Sequence, residues 1–289
     1  MWLVLQLLCD GVLLGGTYVL LAQSLNLIFG VMGVVNLAHG SFIVLAGLFT
    51  VWFADHTAVS PLLAVPIAFI ALFLVGAALQ PVLLEPLLGL GLQQAELLSL
   101  MLTFGLDYLL IELGLHVFGA SYVSLPYLQS TWTLGGLTVG KSLVVGGAFA
   151  AILALALSFW LNHTRFGKSL LAASQSETGA LSIGINVRLV RLIAFAVGVG
   201  LAGAAGTLLI LVEPMAAETA DDFTVLAFVV IALGGLGDYR GVAIAAILLG
   251  IAQSIVGFEI GGDAGNVLPF VLLIVFMALW PQRFRRAAQ

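Results

Sequence analysis

Charge is what this sequence has least of. Only 8% of its 289 residues are Asp, Glu, Lys or Arg and 62% are apolar, whereas a soluble domain carries roughly 25% charged residues. No lysine or arginine precedes Lys141, so the first apolar stretch lacks the basic flank of a secretion signal and reads as a membrane span from Leu3 to Leu25. Nine cations against fourteen acids give a net charge of −5, which excludes a basic nucleic-acid surface. The single cysteine, Cys9, excludes an internal disulfide and a cysteine-built metal cage. What is there instead is apolar length. Residues 1–289 read as a single transmembrane domain, because about eight to ten spans of about 20 residues fill them.

Apolar runs lie at about 3–25, 27–53, 61–84, 95–119, 141–161, 192–212, 223–237, 241–258 and 266–281. Two are short and the second is rich in glycine, so the expected fold is an all-α polytopic bundle of about eight to nine spans with broken or glycine-rich segments. Arg165, Lys168, Arg188 and Arg191 fall in the loop 162–191, Arg240 in a turn, and Arg283, Arg285 and Arg286 at the carboxyl end. Positive residues stay in the cytoplasm, so these regions are expected inside. Nine spans leave Asp55, Glu213, Glu218, Asp221, Asp222, Glu259 and Asp263 outside with the amino terminus, and Lys141 is the one basic exception. The outer stretch 120–140, with Tyr122, Tyr127 and Trp132, reads as a short hairpin or an interfacial loop anchored by aromatics.

Two motifs suggest catalysis and fail on context. Gly135–Ser142, GGLTVGKS, fits the Walker A pattern, but a P-loop needs a strand before it and a soluble helix after it. Here the apolar span Leu143–Leu161 follows, so the match is read as spurious. Gly235–Asp238, GLGD, suggests an intramembrane aspartyl protease with Asp107 as second carboxylate; Asp238 stands two residues from Arg240 in a turn, the setting of a charged helix end. His39, His56, His116 and His163 are scattered, and no metal site or catalytic residue is assigned. Asp107 and Glu112 lie deep in the span 95–119, where a carboxylate costs about 2.5–3.5 kcal/mol. They are expected to face the interior, as a coupling-ion site or as hydrogen-bonded carboxyls.

Glycine carries the organisation. Gly33, Asn36, Gly40 and Gly47, at i, i+3, i+7 and i+14, are predicted to share one helical stripe, with His39 on a neighbouring position of the same face. Gly198, Ala202 and Gly206 predict a second packing seam. The segments Gly33–Gly40 and Gly234–Gly241 are interrupted by glycine in opposite halves of the chain, as around the path of internally repeated transporters. The candidates for path or gate are therefore Gly33, Asn36, His39, Gly40, Asp107, Gly234, Gly235 and Gly237.

At LNLIFGVMGVVNLAHGSF (Leu25–Phe42) the chain resembles the permease subunit of bacterial branched-chain amino acid ABC importers. TRFGKSLLAASQSETGALSIGIN (Thr164–Asn186), GLAGAAGTL (Gly200–Leu208) and ALGGLGDYRG (Ala232–Gly241) agree with that family in order. Leu171, Gly179 and Asp107 depart from its usual residues. The resemblance implies the ABC importer permease fold in the bacterial inner membrane, a second permease subunit (homologous or the same chain), two cytoplasmic ATP-binding subunits that use the ATP, and an extracytoplasmic solute-binding protein. No cofactor is expected in this chain. The loop 162–191 becomes the coupling loop, with Gly167, Lys168, Glu177, Ala180, Gly184 and Ile185 as candidates. Gly167–Ser174 and Glu177–Ile183 are each predicted to form a short helix, the second closed by Gly184. Competing readings are a permease for urea or short amides, a self-sufficient channel or secondary carrier, and an intramembrane hydrolase.

Overall fold

The structure, a computed structural model, describes residues 2–90 and 92–279. Met1, expected outside, and Arg283, Arg285 and Arg286, expected inside, lie outside the described residues. Among the described residues nine apolar helices overlap the predicted segments, the second segment being divided between the first two helices: α1 (Trp2–Met32), α2 (His39–His56), α3 (Ala64–Leu79), α4 (Leu92–Phe118), α5 (Lys141–His163), α8 (Val187–Leu209), α9 (Ala220–Gly234), α10 (Tyr239–Glu259) and α11 (Gly262–Leu279). Two short helices, α6 (Arg165–Gln175) and α7 (Glu177–Ser182), fill the loop after α5. Six helical segments among the described residues are long and apolar enough to cross a membrane: α1, Pro61–Leu87 around α3, Leu97–Phe118 of α4, α5, α8 and α10. The 15 residues of α9 rise only about 22 Å, short of the about 30 Å hydrocarbon core.

α1 and α8 form the centre. From Gly15 to Ile28 α1 is buried on every side, and α8 is buried on nearly every side beyond Ala194, the condition of helices that are apolar all round. α10 and α5 flank α1, while α3 and α2 flank α8. Small residues make this possible. A Cβ on Gly15 of α1 would lie 2.6 Å from the Cα of Ile247 in α10, so the two backbones touch as close-packed membrane helices do. The predicted seam on α8 is present: Gly198 meets Ser24 and Ile28 of α1, and Gly206 meets Ile43 of α2.

The predicted stripe through Gly33, Asn36, Gly40 and Gly47 is overturned. α1 ends at Met32, α2 begins at His39, and residues 33–38 are not helical. Gly33, at φ +64°, ends α1 in the left-handed conformation, which costs glycine little. The next five residues return alongside α1, and His39 arrives beside Ser24 and Leu21, about 12–16 Å back along that helix.

Between α4 and α5, β1 (Thr131–Leu134) and β2 (Leu137–Gly140) form an antiparallel hairpin. Its two turn residues, Gly135 and Gly136, have φ of 59° and 102°, as two-residue hairpin turns require. Gln6 of α1 donates to the Thr138 carbonyl at 2.6 Å and accepts from its N–H at 2.8 Å. The Walker-like octapeptide is thus a hairpin turn at Gly135 and Gly136, strand β2 ending at Gly140, and the first two residues of α5, so no glycine-rich loop separates strand from helix. The hairpin marks one end of the bundle and α6–α7 the other.

Candidate functional site

The break between α1 and α2 is held by side chains of two other helices. In α4, Thr103 Oγ1 accepts the Leu37 N–H at 3.2 Å. In α9, Thr224 Oγ1 donates to the Leu37 carbonyl at 3.0 Å and accepts the Gly40 N–H at 2.8 Å. Backbone groups left unpaired in hydrocarbon cost several kcal/mol each, about the price of the break without these hydroxyls. Gly40 lies directly against the Ala220 carbonyl and Thr224, so α2 and α9 begin side by side.

Two polar side chains at the break are completely buried, Asn36 and His39. Neither amide atom of Asn36 has a partner. The Ser24 hydroxyl donates to the Leu21 carbonyl at 2.6 Å, which makes His39 Nε2 the donor in its 2.9 Å contact with Ser24 Oγ. His39 Nδ1 is then a buried acceptor without a partner.

Asp107 and Glu112, expected together in the interior, separate. The Asp107 side chain is buried and its carboxylate accepts from Ser41 in α2, with Asp221 of α9 beside it. Glu112 is exposed on the outer surface of α4. Ser99, Thr103 and Asp107 fall at i, i+4 and i+8 on α4, all buried, and form a polar stripe along the break. Sequence reasoning singled out Asp107 and missed Ser99, Thr103 and Thr224. The four-residue spacing of Ser99 and Thr103 ahead of Asp107 was the available signal; Thr224 had none.

The second break follows α9. Gly235 and Gly237 have φ of 101° and 78°, Gly234 packs against Val242 of α10, and the Gly237 N–H donates to Asn26 Oδ1 of α1 at 2.9 Å. Asp238 caps α10, accepting the N–H groups of Arg240 and Gly241 at 3.0 and 3.1 Å, an ordinary N-cap role. Asp107 stands at the first turn of α9 and Asp238 beyond its last, so the two carboxylates of the protease reading lie at opposite ends of that helix. Both breaks therefore border the carboxyl-terminal half of α1.

The loop after α5 is ordered. Thr164, Ser176 and Asn186 cap α6, α7 and α8 by accepting from Gly167, Gly179 and Leu189 N–H at 3.0, 3.0 and 3.1 Å. Gly184, at φ +79°, closes the pair, and the Ile185 N–H reaches the Ala180 carbonyl at 3.0 Å. Gly167 packs against the Trp160 carbonyl and Leu161 of α5, while Leu170, Ala173 and Ala180 are buried. Lys168 is exposed. Glu177 already has a partner within the chain, Arg191 of α8 at 2.6 Å. Gly33, Ala173, Glu177 and Arg191 line one cleft, so the loop touches the start of the first break.

A multi-pass helical membrane protein with two breaks around a central helix and an ordered loop at one end has the build of a transport subunit. The family described as "Branched-chain amino acid transport system / permease component" matches residues 7–277, and the chain belongs to it. The four stretches that carry the resemblance are the first break, α6–α7, the packing seam of α8 and the second break. The chain is 24% identical over 298 residues to the high-affinity branched-chain amino acid transport system permease protein LivH of Escherichia coli strain K12, covering 96% of this chain and 94% of that protein. It is 25% identical over 279 residues to a probable branched-chain amino acid transport permease protein of Methanocaldococcus jannaschii, covering 91% and 86%. With the permease protein BraD of Pseudomonas aeruginosa it shares 22% identity over 295 residues, covering 96% and 94%. No solved structure matches the chain.

Proposed function

We propose that this permease serves an ATP-driven importer of branched-chain amino acids in a bacterial inner membrane. It works with a second permease subunit, homologous or identical, and with two cytoplasmic ATP-binding subunits; an external solute-binding protein delivers the solute. The observation that carries the reading is the α6–α7 loop. Its inner side is buried against the bundle, while Leu181 and Ile183 on its outer side are 56% and 74% exposed. An ordered helix pair anchored beside the first break can pass a push from a partner to α5, α8 and the break; a floppy loop could not. ATP is used by the partners alone.

The orientation follows from charge. Arg165, Lys168, Arg188, Arg191 and Arg240 cluster toward the α6–α7 end, which makes that end cytoplasmic and the hairpin end external, with the amino terminus outside. Solute would cross along the breaks, past Asn36, His39 and the α4 stripe, where irregular backbone lines a path instead of facing lipid.

Reconstitution in liposomes tests the reading. Leucine uptake should require the ATPase pair, ATP and the binding protein together. Uptake by the permease alone at the same rate would favour a self-sufficient carrier and overturn it.

A further inference from the structure

A cavity of about 430 Å³ lies between α1, α9, α10 and α11. Tyr18 reaches it from halfway along the 31 residues of α1. Its hydroxyl donates to Glu213 Oε1 at 2.7 Å, and Asp222 lines the same cavity. Gln253 of α10, 8% exposed, also lines it; its Nε2 is held by the Gly265 carbonyl at 3.1 Å, which leaves Oε1 buried with no partner. Two carboxylates and an amide oxygen thus line one cavity as acceptors, Glu213 and Gln253 within the bundle and Asp222 at its exposed edge. Among the described residues that line the cavity there is no Lys, Arg or His.

An uncompensated carboxylate in such surroundings is costly, and a donor bearing positive charge offsets that cost. Phe223, Leu226, Val267 and Phe270 add apolar surface to the wall. Acceptors at one pole and a hydrocarbon surface at the other suit a small primary ammonium with an aliphatic chain, and Asn266 at the rim can donate to a carboxylate.

We propose that this cavity binds an aliphatic amino acid within the permease itself, with Glu213 as counter-ion to the ammonium group. The proposal rests on the reading of the chain as an amino acid permease and deepens it, since it gives the permease a solute-selecting site of its own. Glu213 receives the ammonium, Tyr18 fixes the Glu213 carboxylate, and Gln253 Oε1 accepts a second ammonium hydrogen. The aliphatic chain lies on Phe223 and Leu226.

Equilibrium binding to the purified full-length permease in lipid nanodiscs, without its partners, tests this. Three probes separate the poles: L-leucine, 3-methylbutylamine, which lacks the carboxylate, and 4-methylpentanoate, which lacks the amine. Leucine and the amine should bind saturably and 4-methylpentanoate should not. Glu213→Gln, which still accepts from Tyr18, should weaken leucine and amine binding at least about tenfold. Should that variant fail to fold, Asp222→Asn at an exposed position should weaken the amine about threefold. Equal binding of 4-methylpentanoate, no saturable binding of leucine, or an unchanged affinity in the folded variants overturns the proposal. ATP-driven uptake by the complete complex is scored separately: uptake without binding rejects the cavity alone, and absence of uptake rejects the importer reading.

Discussion

Thr224 and Gly40 lie 184 residues apart in sequence, and the hydroxyl of the first accepts the N–H of the second at 2.8 Å. The same hydroxyl donates to Leu37, so one side chain of α9 satisfies both margins of the break. Thr224→Val keeps the shape and removes the hydroxyl, leaving a buried N–H and a partly buried carbonyl unpaired. A loss of about 1–3 kcal/mol is expected, read as a lower unfolding temperature in detergent, with Thr224→Ser restoring it. Gly40→Leu, driven into the Ala220 carbonyl, should abolish transport while insertion is retained. Normal transport by an assembled Gly40→Leu permease would show that the contact of α2 with α9 has no part in the path.

Asp107 is held by Ser41 and stands beside Asp221, which suits a structural carboxyl. Asp107→Asn keeps an acceptor for Ser41 and offers Asp221 an N–H, so uptake should stay within about threefold of wild type. Asp107→Leu leaves the Ser41 hydroxyl only the residue-107 carbonyl at 3.5 Å and should reduce both stability and uptake. Complete loss of uptake in a stable Asn variant would instead indicate a carboxylate that must exchange a proton or an ion.

Cysteine accessibility on a Cys9→Ser background reads the orientation. Positions 175 and 183 should react with an impermeant reagent only from the cytoplasmic side, and position 218 only from outside, because the basic end stays in the cytoplasm. Labelling of position 175 from outside alone would reverse the topology.

Leu181→Asp with Ile183→Asp changes two exposed side chains at the tip of α6–α7. The double variant should fold and insert normally yet lose co-purification with the ATPase pair, since an apolar docking patch does not tolerate buried charge. Replacing 170–183 with a Gly/Ser linker should leave ATP hydrolysis uncoupled from uptake. ATP-driven uptake that survives the linker would reject the coupling role.

The helices were legible in the sequence because apolar length is a local property, and α6, α7 and the left-handed Gly184 were legible because capping residues and glycine act within one turn. The place of the first break was legible too, in the glycine-interrupted segment Gly33–Gly40, but its non-helical course was not. Gly33, Asn36 and Gly40 keep helical spacing on paper, and the chain departs from it only because Thr103 and Thr224 receive its freed backbone groups. Those hydroxyls are 66 and 184 residues away from their partners, and no local pattern announces such a pairing. Glu112 misled for a related reason: a carboxylate in an apolar run was expected inward, yet it lies near one end of α4 on the exposed face, where the surface is within reach of a side chain. The Glu213 cavity assembles residues from four helices and a turn, beyond the reach of any spacing argument.

Gln6 treats Thr138 as a neighbouring strand would, filling its outward N–H and carbonyl with one side-chain amide. A two-stranded hairpin alone is marginal in water, and its open edge invites pairing with another polypeptide. Here that edge is closed from within, so the hairpin and the first turn of α1 should become protected from hydrogen exchange together. Gln6→Ala would then release both at once and leave β2 free to recruit a foreign strand.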